Sequence, residues 1–178
     1  MPLDAANHPA IALKGGFRVQ AIKGTVRAIG QSRVHMSGHT YAYVTFDLED
    51  GSDFMLENVV VLNRVGSELE PGVAGTFYVI SNKRATSLIA YQGTDGRSRD
   101  DVAAFQKSIR SGNLGIIFFL VTAWVVVSGF AGLILMALFR HAPFFVWVLY
   151  YIAPPVLIFR HVMKRIPSEA EIRAAIAA

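Results

Sequence analysis

Between Leu114 and Phe159 the chain carries a single Lys, Arg, Asp or Glu, the lone Arg140. No other feature constrains the fold as much. Within that interval, GIIFFLVTAWVVVSGFAGLILMALF, Gly115 to Phe139, has no charge at all. A helix of this length rises ~37 Å at ~1.5 Å per residue and exceeds the ~30 Å hydrocarbon core of a bilayer. The pattern predicts a transmembrane helix over 114–139. The overall hydrophobic fraction of 53% and mean hydropathy of +0.40 come from this block, because residues 1–111 are mixed in character.

The second apolar run is interrupted by two adjacent prolines in YIAPPVLIFR, Tyr151 to Arg160. Phe144 to Phe159 alone would reach only ~24 Å. Pro143 suits a first helical position, where its missing N–H costs nothing. The run can also extend through Arg160, Lys164 and Arg165, whose long side chains reach the headgroups, as far as Pro167. A second span over 143–166 is predicted, kinked at Pro154 and Pro155. Each proline removes a helical N–H, which frees the carbonyls of Tyr150 and Tyr151. Lipid offers no donor, so Thr122 or Ser128 of the first helix, or a water, is expected to serve. The kink is read first as a packing feature; a hinge or polar vestibule, or a re-entrant segment, are the other readings. Ser128 and Gly132 form a small-xxx-small step suited to close helix contact. Trp124, Trp147, Tyr150 and Tyr151 are interface anchors or packing residues.

Charge orients the pair. Arg97, Arg99, Lys107 and Arg110 precede it, and Arg160, Lys164, Arg165 and Arg173 follow its apolar part; the connecting turn has only Arg140, beside His141. Basic residues favour the cytoplasmic side, so a hairpin with both tails inside is expected. The N-terminal MPLDAANHPAIALKGGF lacks a basic start and a long apolar core and is expected to stay in the mature protein. The net charge of +4 and pI of about 9.6 are read as membrane topology rather than nucleic-acid binding.

Residues 17–95 read as β. YAYVTFDL alternates, predicting Ala42, Val44, Phe46 and Leu48 on one face. Asp50-Gly51 signals a hairpin, and turns are expected around Gly38, at Glu70–Gly72 and at Asn82–Arg84. Five or six short strands predict one small barrel or sandwich, SH3- or OB-like in size. An amphipathic linker helix over 98–111 is expected, capped by Ser98, with Val102, Phe105, Gln106 and Ile109 on one face, lying on the membrane surface or on the β domain. Ser168 is expected to cap a short helix in the 167–178 tail, and residues 1–16 form an N-terminal tail. The fold class is therefore an α+β membrane protein.

Chemistry is sparse. The absence of cysteine excludes disulfides and thiol chemistry. His35 and His39 flank a β turn and lack an evident third ligand, which argues against a metal site. Asp47, Glu49, Asp50 and Asp53 read as solvated acids at a hairpin tip. Lys23, Arg27 and Arg33 lack interleaved aromatics, which argues against nucleic acid. The expectation is a non-enzymatic subunit or adaptor in the bacterial inner membrane, with both termini cytoplasmic. It needs no cofactor, metal or small-molecule substrate, and its partners are the lipid bilayer and other membrane subunits or copies of itself. A membrane-embedded immunity or regulatory protein that blocks a toxin or another membrane protein is the alternative. A homo-oligomeric pore is a further one.

Overall fold

The structure, a computed structural model, describes residues 10–35, 38–83, 85–138 and 144–178. Its strands are β1 (Ile11–Ala12), β2 (Arg18–Ile29), β3 (Ser32–His35), β4 (Gly38–Leu48), β5 (Asp53–Leu62), β6 (Ala74–Ser81), β7 (Thr86–Gly93) and β8 (Ser98–Asp100). Its helices are α1 (Asn63–Gly66), α2 (Val102–Leu138), α3 (Phe144–Met163) and α4 (Glu169–Ala177). Two compact units result: residues up to Gln106 together with Pro167–Ala178, and Lys107–Ile166.

In the first unit β2 does double duty. Its first part pairs antiparallel with β6 over Arg18–Thr25, and its last part pairs antiparallel with β4 over Gly24–Ile29. The path continues β6 to β7, β7 to β5 in parallel, and β5 to β4, which returns it to β2. Gly24 is where β2 changes partner. A Cβ there would sit 2.3 Å from the Asp47 carbonyl oxygen, so only glycine lets the strands approach this closely. Gly75, its neighbour on β6, likewise permits close approach, since a Cβ there would sit 2.4 Å from the Gln92 carbonyl oxygen. Gly75 and Gly93 also leave room for the Tyr91 ring, whose hydroxyl donates to the Ala74 carbonyl at 3.2 Å.

The core is built from alternating inward residues. Val44 and Phe46 are fully buried, and Phe46 meets Phe77 at a ring separation of 4.9 Å. The predicted face of β4 holds for Val44, Phe46 and the partly buried Leu48 but not for Ala42, which is exposed. Asn58 on the facing strand adopts a left-handed conformation (φ 51°). Pairing skips from Tyr41↔Val59 to Tyr43↔Glu57 around it, and the inward phase moves to Tyr41. The Asp50-Gly51 hairpin forms as the sequence predicts: Gly51 has φ 80°, and the Ser52 N–H donates to the Asp50 carboxylate at 2.9 Å. Among the described residues six strands, β2 to β7, fall within 17–95, in line with the five or six expected there; the short β1 and β8 lie just outside that range.

The separate linker helix over 98–111 is not found. Ser98 lies in β8, paired with β7, and helix begins only at Val102. Asp101 decides this. Its backbone N–H donates to the Ile89 carbonyl at 2.8 Å, its carbonyl accepts from Phe105 at 2.8 Å, and its carboxylate accepts from the Val65 N–H at 2.9 Å. One buried residue thus ends the sheet, starts α2 and caps α1, whose own N-cap residue, Leu62, has no side-chain acceptor to offer. The predicted apolar face is real: Val102, Phe105 and Gln106 are buried, with Phe105 edge-on to Phe17 at 6.4 Å. They pack within the strand-rich unit, and α2 then continues without a break to Leu138.

Ser168 caps α4 as expected, in a reciprocal box with Glu171: Oγ accepts from the Glu171 N–H at 3.2 Å and the Glu171 carboxylate accepts from the Ser168 N–H at 2.8 Å. The helix docks in the first unit. Ile172 is fully buried, Arg173 bridges Glu169 and Asp100, and Lys14 pairs with Glu171 at 2.6 Å. The ion pairs are exposed and screened by solvent, whereas burying one Ile contributes ~1.5–3 kcal/mol, so Ile172 dominates the docking.

Phe46→Ala is expected to cost ~3–5 kcal/mol in chemical denaturation of the full chain, because it empties a site with no exposed surface. Acid acts on α4. The Lys14 ammonium, and then the Ser168 N–H, hold the Glu171 carboxyl below the ordinary carboxylate range. Its folded value lies below the unfolded one, so its contribution is complete above about pH 4.3 and is lost as pH falls through the lower folded value. The protection of the Ile172 amide, corrected for the intrinsic exchange rate, should fall in that window; Glu171→Gln should remove this pH dependence, weakening the docking above the window and having little effect below it.

Candidate functional site in the helix pair

Among the described residues two helices are long and apolar enough to cross a membrane, Val102–Gly132 and Val146–Met163, and an 18-residue window in each has a mean hydropathy of 2.3 and 1.4 respectively. In the second unit α3 runs as one helix from Phe144 to Met163, through Pro154 and Pro155. The predicted turn, with Arg140, His141 and the proposed first helical residue Pro143, lies outside the described residues, as does Phe139.

The small-residue step marks where the helices meet. Ser128 is fully buried, and its Oγ donates to the Val125 carbonyl at 3.2 Å, so it adds no dangling polar group. Tyr151 of α3 lies against this step, its hydroxyl donating to the Ser128 carbonyl at 3.5 Å. A Cβ on Gly132 would fall 2.2 Å from that hydroxyl, whereas Gly129 has nothing within 4 Å. Gly132 is therefore the seat of the Tyr151 ring. Thr122, the other polar candidate, is exposed.

The aromatic residues gather on one another. Trp124 lies 5.7 Å from Tyr150, Trp147 is edge-on to Tyr150 at 6.3 Å, and Tyr150 is edge-on to Tyr151 at 5.1 Å. Tyr150 is the centre of the group, contacted by Trp124 of α2 and by Trp147 and Tyr151 of α3. Pro154 and Pro155 follow one turn later, so the carbonyls that lose their helical donors are those of Tyr150 and Tyr151, within this aromatic group.

The basic end of α3 holds a cavity of about 670 Å³, lined by Leu120, Leu157, Ile158, Arg160, His161, Val162 and Lys164. Arg160 and Lys164, singled out by sequence as headgroup anchors, line it; Arg165 is exposed but does not. Leu120 and His161 were not singled out. The i, i+4 spacing of Arg160 and Lys164 was the available signal that both share a helix face.

The strand-rich unit disposes of its charged candidates. Arg27 pairs with both Asp47 and Asp53, Lys23 pairs with Glu49 at 2.9 Å, and Asp50 accepts from Ser52. His35 is exposed on β3, and His39 stacks on Tyr41 at 5.9 Å. Among the described residues no group of three or more His, Asp or Glu is placed to hold a metal ion.

Gly132→Leu is expected to force Tyr151 off its seat and destabilise the full chain by ~1–3 kcal/mol in detergent, as overpacking does. Gly129→Leu, in open space three residues away, should leave the melting temperature unchanged or raise it slightly.

Compared with known proteins, the chain matches no protein-family model, no curated protein and no solved structure.

Proposed function

We propose that this chain is a two-pass membrane protein of the bacterial inner membrane with a cytoplasmic strand-rich unit, and that it acts as a non-enzymatic subunit or adaptor. The observation that carries this reading is the rooting of both ends of the helix pair in one unit. Gln106 Nε2 donates to the Pro167 carbonyl at 3.3 Å, and both residues are buried. A segment that begins and ends at one place must cross an even number of times or not at all. Two spans of adequate length favour two crossings over a re-entrant path. The charge pattern supports the cytoplasmic side for both flanks.

The strand-rich unit is read as a five-stranded OB-type barrel. The circuit β2-β4-β5-β7-β6, with α1 between β5 and β6, supports this. The outward face of β4 and β5 carries Tyr43 paired with Glu57, Thr45 with Met55, and Asp47 with Asp53. Tyr43 and Met55 are 40% and 53% exposed. Exposed apolar side chains beside Glu57, with Asp47 and Asp53 already paired to Arg27, suit a protein partner.

The test uses the full chain in intact cells. Cysteines at Ser52 and Ala174 should be shielded from an impermeant thiol reagent, and one at Ala142 should label. Partner capture in mild detergent should then be weakened by Tyr43→Ser with Met55→Ser. Labelling at Ser52 but not Ala142 inverts the orientation. Unequal labelling of Ser52 and Ala174 contradicts two crossings. Capture that ignores the β4–β5 variants contradicts the adaptor face.

A further inference from the structure

We propose that the cavity at the basic end of α3 binds an anionic phospholipid, its phosphate between Arg160 and Lys164 and an acyl chain along Leu120 and Leu157. The inference rests on the membrane-spanning reading above. The volume, about 670 Å³, falls within the ~300–1,000 Å³ usual for small-molecule sites.

Charge selects the ligand. The second unit, 107–166, contains no Asp or Glu. Arg160 and Lys164 have no ion-pair partner among the described residues, whereas Arg27 and Arg173 in the strand-rich unit each hold two carboxylates. The carboxyl-terminal end of α3 contributes only about half a negative charge, which two cations outweigh. An anion is therefore favoured. The walls select further. Leu120 and Leu157 are 41% and 64% exposed and border the charges directly. A free phosphate would leave them uncovered. A zwitterionic lipid would cover them without satisfying the charge. A lipid with a net negative headgroup does both, and basic recesses between membrane helices are suited to such headgroups.

The full chain in neutral detergent would be titrated with phosphatidylglycerol or phosphatidylcholine, with bound lipid counted by native mass spectrometry, and with inorganic phosphate by equilibrium dialysis. Phosphatidylglycerol is expected to bind saturably and more tightly than phosphatidylcholine, and phosphate alone should not bind. Arg160→Gln with Lys164→Gln should weaken phosphatidylglycerol on the order of thirtyfold, the loss of two basic contacts. Lys107→Gln with Arg110→Gln removes the same charge outside the cavity and should have little effect. Leu157→Trp, which fills the apolar wall and keeps both cations, should also reduce binding; it supplies a second readout if the charge variant does not fold. Equal weakening by both charge variants, equal affinity for phosphatidylcholine, binding of free phosphate, or undiminished binding by Leu157→Trp would each overturn the proposal. Flotation with neutral vesicles separates the two readings. A chain that fails to float contradicts the membrane assignment itself, and one that floats without preferring phosphatidylglycerol contradicts only this inference.

Discussion

The hydrogen bond from Gln106 to the Pro167 carbonyl joins two points between which the whole second unit intervenes. Closing a loop of that length costs entropy on the order of 4 kcal/mol for a flexible chain. One hydrogen bond, worth ~1 kcal/mol, cannot offset this. The burial of Ile172, the capping box at Ser168 and the contact of the α2 and α3 helices together can. The Tyr151 ring on Gly132 shortens the effective loop from within, because two paired helices are no longer a flexible chain. The junction in the first unit and the helix contact in the second therefore support one another energetically.

Much of this was legible in the residues, and what was not has specific causes. The spacing of Ser128 and Gly132 identified the helix contact because small side chains four apart have few other uses on an apolar helix. Ser168 followed by Glu171 identified a cap because both halves of the box are local. Ile172 was less visible: one Ile among alanines gives little amphipathic signal, and its burial depends on distant partners. Ser98 misled because Ser98, Asp100 and Asp101 are all good caps, and only the pairing of β8 with β7 decides which is used. Ala42 misled because strict alternation assumes an unbroken ladder, and Asn58 breaks it from the other strand. The aromatic residues carried two readings because composition cannot separate a ring facing headgroups from a ring facing another ring.

The two units treat charge differently. In the strand-rich unit Lys23, Arg27, Arg99 and Arg173 are held by carboxylates, and they bear on surface geometry rather than on recognition. In the helix unit the cations have no acid anywhere in the same stretch of chain. A net charge of +4 thus understates the contrast between them.

The docking of α4 has a consequence for the order of assembly in the cell. Translation delivers β1 through β8 first, then both apolar helices, and only afterwards Ile172. The first unit to emerge from the ribosome therefore lacks a fully buried part of its own interior until the helix pair has been made. Its final consolidation is a late event, coupled by chain order to whatever has become of the apolar segments. A chain whose helices were held up in an exit tunnel or misplaced would carry an unfinished strand-rich unit, lacking the burial of Ile172.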